Sequence, residues 1–551
     1  MERTIFCVLV FCVGVYSVQV RVDPLVLVNG QGLVRGQRTD DGQYSTFLGI
    51  PYARVDIDNP FGAVGTVCDK YAQYYCLMIN LLQFQAAQDP VPFEEEIFNA
   101  NDGTGKCPQM SDGDTTILDC LKLNIFVPIQ ASSRNPLPVL FWIHGGEFQR
   151  GSASDYSGVR DIVRHGVVVV AINYRLGPYG FLCLDVPSVH GNQGLKDQFQ
   201  ALQWVRNNIA SFGGNPYNVT IAGQDAGAVS TLLHLYSSRP KLFHKAIIES
   251  GTPQTDGMFS SGDVDAAIKL AERLGFNTTD TEEALAYLVR TDHNLVAVAA
   301  NDLGLNLKPC RERSISGLEN FIEDEPYDLS NRIKIRNTRI LIGYTNKERD
   351  ELDDEYFNTD PFYEKIVSNF NLEEDVAIRA ANMVKHFYLG DKPISREVES
   401  QLEDFESDFT FNHPTHRTID SLLSENAGAI YEYLFSYVGD SNADGASHNA
   451  ELNYLFQLTD KERSENDQLI VDRMTTLWTN FIKYGNPTPE PTDLVPIAWP
   501  VVTEATRPAL VIDIDLREED RVDHERMAFW DLFYTVYGGY TTVARGCSMN
   551  N

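Results

Sequence analysis

The chain has 551 residues, 43% of them hydrophobic and 22% charged, an ordinary globular composition with ample material for a large core. Its 45 basic and 77 acidic residues leave a formal net charge of −32, which argues against nucleic acid or an anionic membrane surface as a partner. Length alone fits several domains or one large α/β unit, so the motifs must decide.

Met1 to Ser17 reads as a secretory signal: Arg3, an apolar run Thr4 to Tyr16, then small Ser17. That run is shorter than the roughly 20 apolar residues of a membrane span. The C-terminal G-C-S-M-N-N lacks the apolar tail of a lipid-anchor signal. The expectation is a secreted, extracellular protein with no membrane anchor, residues 18–551 forming a single domain. Without the signal, seven cysteines remain: Cys68, Cys76, Cys107, Cys120, Cys183, Cys310 and Cys547. An odd number leaves at least one free or paired between chains. Cys107 and Cys120 lie close together in a turn-rich segment and are expected to form a disulfide; the other pairings stay open. No clustered histidines or C-x-x-C pair suggest a metal site, and no cofactor is expected. Sequons occur at Asn218 and Asn277; Asn277 is the better glycosylation candidate, because Asn218 begins a strand expected to be buried.

Leu25 to Gln37 reads as a hairpin turning at Asn29-Gly30, and Tyr44 to Ala53 continues as strand. Val67 to Gln85, with two cysteines and an apolar run, is either a surface insertion or a gene-model error. Leu121 to Pro128 is a strand. Leu137 to Ile143 and Val167 to Tyr174 are near-continuous apolar runs, as strands buried on both faces require. Gln193 to Phe212 has the spacing of an amphipathic helix. Further strands are expected at Lys245 to Ser250, Arg339 to Thr345, Ala429 to Tyr437 and Ala509 to Ile514. Helices are expected at Asp263 to Leu274, Thr281 to Arg290, Glu465 to Tyr484 and His524 to Tyr537. Strands alternating with helices predict a mostly parallel sheet covered on both faces.

One stretch organises the rest: Asn218 to Leu235, N-V-T-I-A-G-Q-D-A-G-A-V-S-T-L-L-H-L. Strand, Gly-flanked turn and helix follow in the order of the nucleophile elbow, G-x-S-x-G, of an α/β-hydrolase. The flanking glycines are Gly223 and Gly227, and the residue between them, where serine belongs, is Asp225. Downstream, Glu348 follows a strand and His448 sits in G-A-S-H-N-A-E, in the chain order nucleophile, acid, histidine. Upstream, W-I-H-G-G-E-F (Trp142 to Phe148) places a Gly pair after a buried strand.

With these motifs the chain resembles the type-B carboxylesterase and cholinesterase family, most closely insect esterases. The resemblance runs from Asp23 to about Gly538. It is carried by F-L-G-I-P-Y-A (Phe47 to Ala53), D-C-L-K-L-N (Asp119 to Asn124), N-Y-R-L-G-P-Y-G-F-L (Asn173 to Leu182), G-N-Q-G-L-K-D-Q (Gly191 to Gln198), F-G-G-N-P and G-Q-D-A-G. It implies the α/β-hydrolase fold, the Cys107–Cys120 loop, and Gly145, Gly146 and Ala226 as oxyanion donors. Several positions depart from the pattern. Asp225 replaces the nucleophile, Glu147 the third small residue of the oxyanion turn, Gln224 the usual Glu, and Arg349 the usual Gly. The Cys107–Cys120 loop holds no tryptophan, so the aromatic that binds choline is missing.

A carboxylate attacking an ester gives an anhydride, and the tetrahedral adduct collapses by expelling the carboxylate again. The Glu147 carboxylate is expected to repel the developing oxyanion, and anions around His448 to hold it as imidazolium. The sequence therefore points to a family member that has lost serine-esterase activity. Its partner would be a small hydrophobic ester-like ligand or another protein. The alternative is an active hydrolase, on carboxylic esters or, through Asp225, on epoxides or alkyl halides.

Overall fold

The computed structural model describes residues 23–55, 61, 92–110, 116–350, 352–439, 443–459 and 461–541. The signal at 1–17, the segment 67–85, and Cys68, Cys76 and Cys547 lie outside the described residues. Fourteen strands run in chain order: β1 (Leu25–Val28), β2 (Gly32–Arg35), β3 (Gln37–Arg38), β4 (Tyr44–Pro51), β5 (Ile97–Asn99), β6 (Lys122–Pro128), β7 (Leu137–Ile143), β8 (Val168–Ile172), β9 (Gly214–Gln224), β10 (Lys245–Glu249), β11 (Arg339–Thr345), β12 (Ile430–Phe435), β13 (Pro508–Ile512) and β14 (Arg517–Asp520).

Eleven of them form one sheet in the order β14-β13-β12-β11-β10-β9-β7-β8-β6-β4-β3. Its centre, from β8 through β7 and β9 to β13, is parallel; β6, β4 and β3 at one end and β14 at the other are antiparallel. This is the architecture of an α/β-hydrolase. The central strands are buried on both faces, β8 (V-V-V-A-I) and β10 (K-A-I-I-E) at every residue. That burial is why their sequences show no alternation. β1, β2 and β5 make a separate small sheet.

Two large apolar clusters cover the two faces. One holds Ile143, Val170, Ile221 and Ile248 with Leu195, Leu202 and Val205 of helix α1 (Gln193–Asn208) and Val229 and Leu232 of helix α2 (Ala226–Tyr236). The other holds Trp142, Val169, Ala222 and Ile247 with Ile470, Met474, Leu477 and Phe481 of helix α3 (Glu465–Tyr484). Adjacent residues of one strand face opposite clusters, as the pleat requires.

Between β11 and β12 four helices went unread in the sequence, Pro361–Asn369, Glu374–Leu389, Glu399–Ser407 and His413–Ser424. They are rich in charge; the first three bury Phe362, Val384 and Phe405 in one cluster with Trp530 of helix α4 (His524–Tyr537), while the fourth buries Ile419 and Leu422 in the first of the two large clusters. A π-helical turn at Asp408–Asn412 joins the last two. Two disulfides occur among the described residues, Cys107–Cys120 as expected and Cys183–Cys310, which spans 127 residues. Asn277 is exposed in a loop. The Asn218 amide is engaged instead, donating to the Lys483 carbonyl and accepting from Lys245.

Candidate functional site

β9 runs into α2 through Asp225, whose backbone (φ 54°, ψ −122°) lies where few L-residues go. The flanking glycines make this turn buildable. A Cβ on Gly223 would lie 2.4 Å from the Gly227 carbonyl carbon, and one on Gly227 would lie 2.0 Å from the Ile143 oxygen. Both distances are impossible for a side chain, so strand, turn and helix close together only with hydrogen at those positions. The Asp225 N–H donates to the Glu249 carbonyl (2.9 Å), and its carbonyl accepts from Val229 N–H at the start of α2 (3.0 Å).

The carboxylate of Asp225 does not reach toward His448. Its Oδ2 accepts two backbone hydrogen bonds, from Gly146 and Glu147 N–H, each 2.8 Å. The carboxylate thus takes up the two backbone donors of the Gly-rich turn. Gly145, Gly146 and Ala226 are the donors that the family resemblance implies; the N–H groups that meet Asp225 are those of Gly146 and Glu147. The turn at Gly146 (φ 100°) and Glu147 (φ 55°) aims the N–H groups of those two residues at Asp225, while the Gly145 carbonyl accepts from His144 Nδ1 (2.8 Å). Ala226 opens α2, whose first-turn N–H groups have no partner within the helix.

Glu147 also overturns an expectation. Its carboxylate does not oppose the oxyanion position: it is 54% exposed and lies 3.6 Å from Lys308 Nζ. Lys308 donates to the Glu147 carbonyl (2.7 Å). The positive φ that turns the Glu147 N–H inward sends its side chain outward, which the sequence pattern alone did not reveal.

Glu348, past the end of β11, and His448, past β12, lie in direct contact. His448 Nδ1–H donates to Glu348 Oε2 at 2.5 Å. The other oxygen, Oε1, accepts from Ser250 Oγ–H (2.6 Å) and Thr345 N–H (2.8 Å). Burial opposes charge on His448, but the Glu348 carboxylate and its hydrogen bond, with Asp225 and Glu451 beyond, outweigh it and push the imidazole up to about 9. At neutral pH it is an imidazolium and no base.

The second ring nitrogen, Nε2, is 2.8 Å from Gln224 Nε2. A neutral ring accepts from that amide N–H; a charged ring donates to the amide oxygen once the amide turns over. In either state Gln224 occupies the nitrogen that a serine hydroxyl would need. Sequence reading noted Gln224 as a departure and missed this contact, because it depends on β9 and the His448 loop lying side by side.

Two further buried acids stand behind the pair. Glu249, at the end of β10, accepts from Trp478 Nε1–H (2.6 Å), and burial pushes it up to about 8. Burial, with the neighbouring Glu249 and Glu348 charges, raises Glu451 well above the usual carboxylate range. Only the spacing H-N-A-E, three residues from His448 to Glu451, hinted at the second.

Asp225, Gln224, Glu348 and His448 border a cavity of about 950 Å³ that opens to the surface. Met110, Met258, Leu305, Phe411 and Leu458 supply apolar wall, and Lys106, Arg150, Lys308 and Arg349 supply positive charge. Arg349 lies over the Phe411 ring, 5.7 Å from its centroid. Among the described residues no group of three or more His, Cys, Asp or Glu is arranged for a metal ion, and no helix is long and apolar enough to cross a membrane.

Comparison with known proteins extends the likeness over most of the chain. It is 30% identical over 512 residues to juvenile hormone esterase of Heliothis virescens, covering 85% of this chain and 86% of that protein. It is 29% identical over 492 residues to esterase FE4 of Myzus persicae, covering 82% of each. The crystal structure of juvenile hormone esterase from Manduca sexta, with OTFP covalently attached, superposes with a TM-score of 0.76 at 26% identity, over 93% of this chain and 100% of that one. Residues 77–530 match the model of the carboxylesterase family. With the elbow, the Glu348–His448 pair and the sheet order in place, this chain belongs to the carboxylesterase family.

Proposed function

We propose that this carboxylesterase-family protein uses its cavity to bind a small, hydrophobic, ester-like ligand and does not turn esters over through an acyl-enzyme. The observation that carries this reading is the Asp225 carboxylate held by the Gly146 and Glu147 N–H groups. An ester carbonyl cannot place its developing oxyanion on those donors while a carboxylate holds them, and no hydroxyl stands at the elbow. Glu348 and His448 would then act as a fixed ion pair in the cavity wall, with Gln224 on the remaining nitrogen. The apolar wall suits the body of a hydrophobic ester. Binding, scavenging or presentation to a protein partner are the uses such a site supports. Secretion is part of the proposal, supported by the two disulfides, which persist in oxidising compartments.

Hydrolysis of carboxylic esters is the second reading, favoured by the likeness to proteins named as esterases. One experiment separates them. Purified protein is assayed with p-nitrophenyl and naphthyl esters against a heat-denatured control, and treated with an organophosphonate that labels activated serines. No turnover and no label are expected from wild type, while the same esters bind and are recovered intact. Catalytic turnover above the control would establish the second reading.

A further inference from the structure

The two oxygens of Asp225 are not equivalent. Oδ2 accepts both backbone N–H groups, whereas Oδ1 takes no hydrogen bond among the described residues, and Asp225 lines the cavity. Two N–H bonds to one oxygen fix the plane of the carboxylate, so the lone pairs of the other hold a constant direction. A carboxylate held in this way is useless against an acyl carbon but well placed against an sp³ carbon bearing a leaving group.

We propose that Asp225 Oδ1 is an alkyl acceptor: it takes a primary alkyl group from a hydrophobic alkyl halide and keeps it. The Oδ1 lone pair forms the O–C bond as the C–X bond breaks, and the halide departs with that electron pair. The carboxylate becomes a neutral ester whose carbonyl oxygen is Oδ2, still accepting from Gly146 and Glu147. No proton moves. The halide is released into a cavity carrying Lys106, Arg150, Lys308 and Arg349, while Met110, Met258 and Phe411 receive the alkyl chain. A primary carbon is required, because the attacking oxygen approaches from a rigid elbow that cannot move around a branched centre.

The new ester is not cleared. Its hydrolysis needs a base to activate water, and His448 is bound to Glu348 on one nitrogen and to Gln224 on the other. Held as imidazolium to about pH 9, it has no lone pair to offer. The site is therefore a single-use trap for electrophiles.

This inference rests on the reading that Asp225 blocks ester turnover, and the two fail separately. Full-length protein is incubated with 1-bromohexane, followed by intact-mass measurement, peptide mapping and quantification of 1-hexanol. The expected result is one hexyl group on the peptide containing Asp225, stable for hours, with less than one equivalent of 1-hexanol. Asp225→Asn, checked for folding by near-ultraviolet circular dichroism, should carry no hexyl group on that peptide. Above about pH 9, where His448 is neutral, Gln224→Ala should leave Nε2 free and shorten the adduct lifetime at least tenfold relative to wild type at the same pH. Absence of a hexyl group on Asp225, its presence in Asp225→Asn, or many equivalents of 1-hexanol from wild type would overturn the trap. An unchanged lifetime in Gln224→Ala would overturn the assignment of Gln224 as the block. If no adduct forms and p-nitrophenyl esters are also not hydrolysed, only this inference fails; ester turnover would sink the proposed function whatever the adduct result.

Discussion

Replacing Asp225 by serine tests the site most directly. A hydroxymethyl group is shorter than a carboxylate, so Asp225→Ser withdraws the acceptor that Gly146 and Glu147 now serve and empties the oxyanion position. Each hydrogen bond to a charged group contributes about 1.5–3 kcal/mol. In wild type an ester oxyanion must therefore displace about 3–6 kcal/mol of existing contact, a factor of roughly 10²–10⁴ in rate. The serine also restores a nucleophile, whose loss from a serine triad costs on the order of 10⁶. It removes one anion that helps hold His448 charged, although Glu348 contributes more. Against these gains, Gln224 still engages His448 Nε2 and the serine hydroxyl must compete with it. The net expectation is a rise of at least about 10³-fold in hydrolysis of a short-chain p-nitrophenyl ester. Organophosphonate labelling of the elbow peptide should appear with it. The assay is initial rate against ester concentration for wild type and variant at matched circular dichroism. A folded Asp225→Ser protein as inert as wild type would refute the roles given to His448, Glu348 and the Gly146–Glu147 donors.

Glu147→Gly in the Asp225→Ser background should change ester turnover by less than about threefold, under roughly 0.7 kcal/mol, because the carboxylate points to solvent and Lys308; a gain of a hundredfold in the same rate assay would show that it reaches the oxyanion. Stability should fall as pH rises from about 6.5 to 8, above the range in which the lowered His144, His165, His234 and His416 act oppositely and below that of Lys241, Lys245 and Lys334, lowered to about 8. Burial raises Glu249 and Glu432 to about 8, and a carboxyl raised on folding loses stability as pH climbs from its unfolded value through its folded one. His448, raised to about 9 by Glu348 against burial, contributes stability that is complete below about 6.5 and lost through 9. Thermal melts should thus be higher at pH 6.5 than at pH 8, and Glu249→Gln should flatten the slope; a melting temperature that rises over this range would contradict the placement of these groups. Changing Cys183 and Cys310 to serine together should cost about 5 kcal/mol by loop entropy for a 127-residue separation. A urea midpoint unchanged in that double variant would mean the bond is not formed.

Sequence alone determined much of this protein, because its strongest signals are local. Glycine at 223 and 227 announces the elbow since no Cβ fits between β9, α2 and β7. The unbroken apolar runs of β7 and β8 announce a sheet buried on both faces, and the order Asp225, Glu348, His448 announces which loops must meet. The Cys107–Cys120 bond was legible because its partners are near neighbours along the chain. What the tertiary structure decided depends on direction and on distant neighbours. A positive φ at Glu147 exchanges the positions of its N–H and its carboxylate, so a residue read as opposing the oxyanion site is one of the donors there. Cys183 pairs with Cys310 across 127 residues, a separation that carries no periodicity to read. Which way the Asp225 carboxylate turns, toward the backbone donors and away from His448, and which side chain then takes the free histidine nitrogen, follow from side-chain packing between separate strands and loops. Residue identity fixes what a group can do; only the fold fixes what stands beside it.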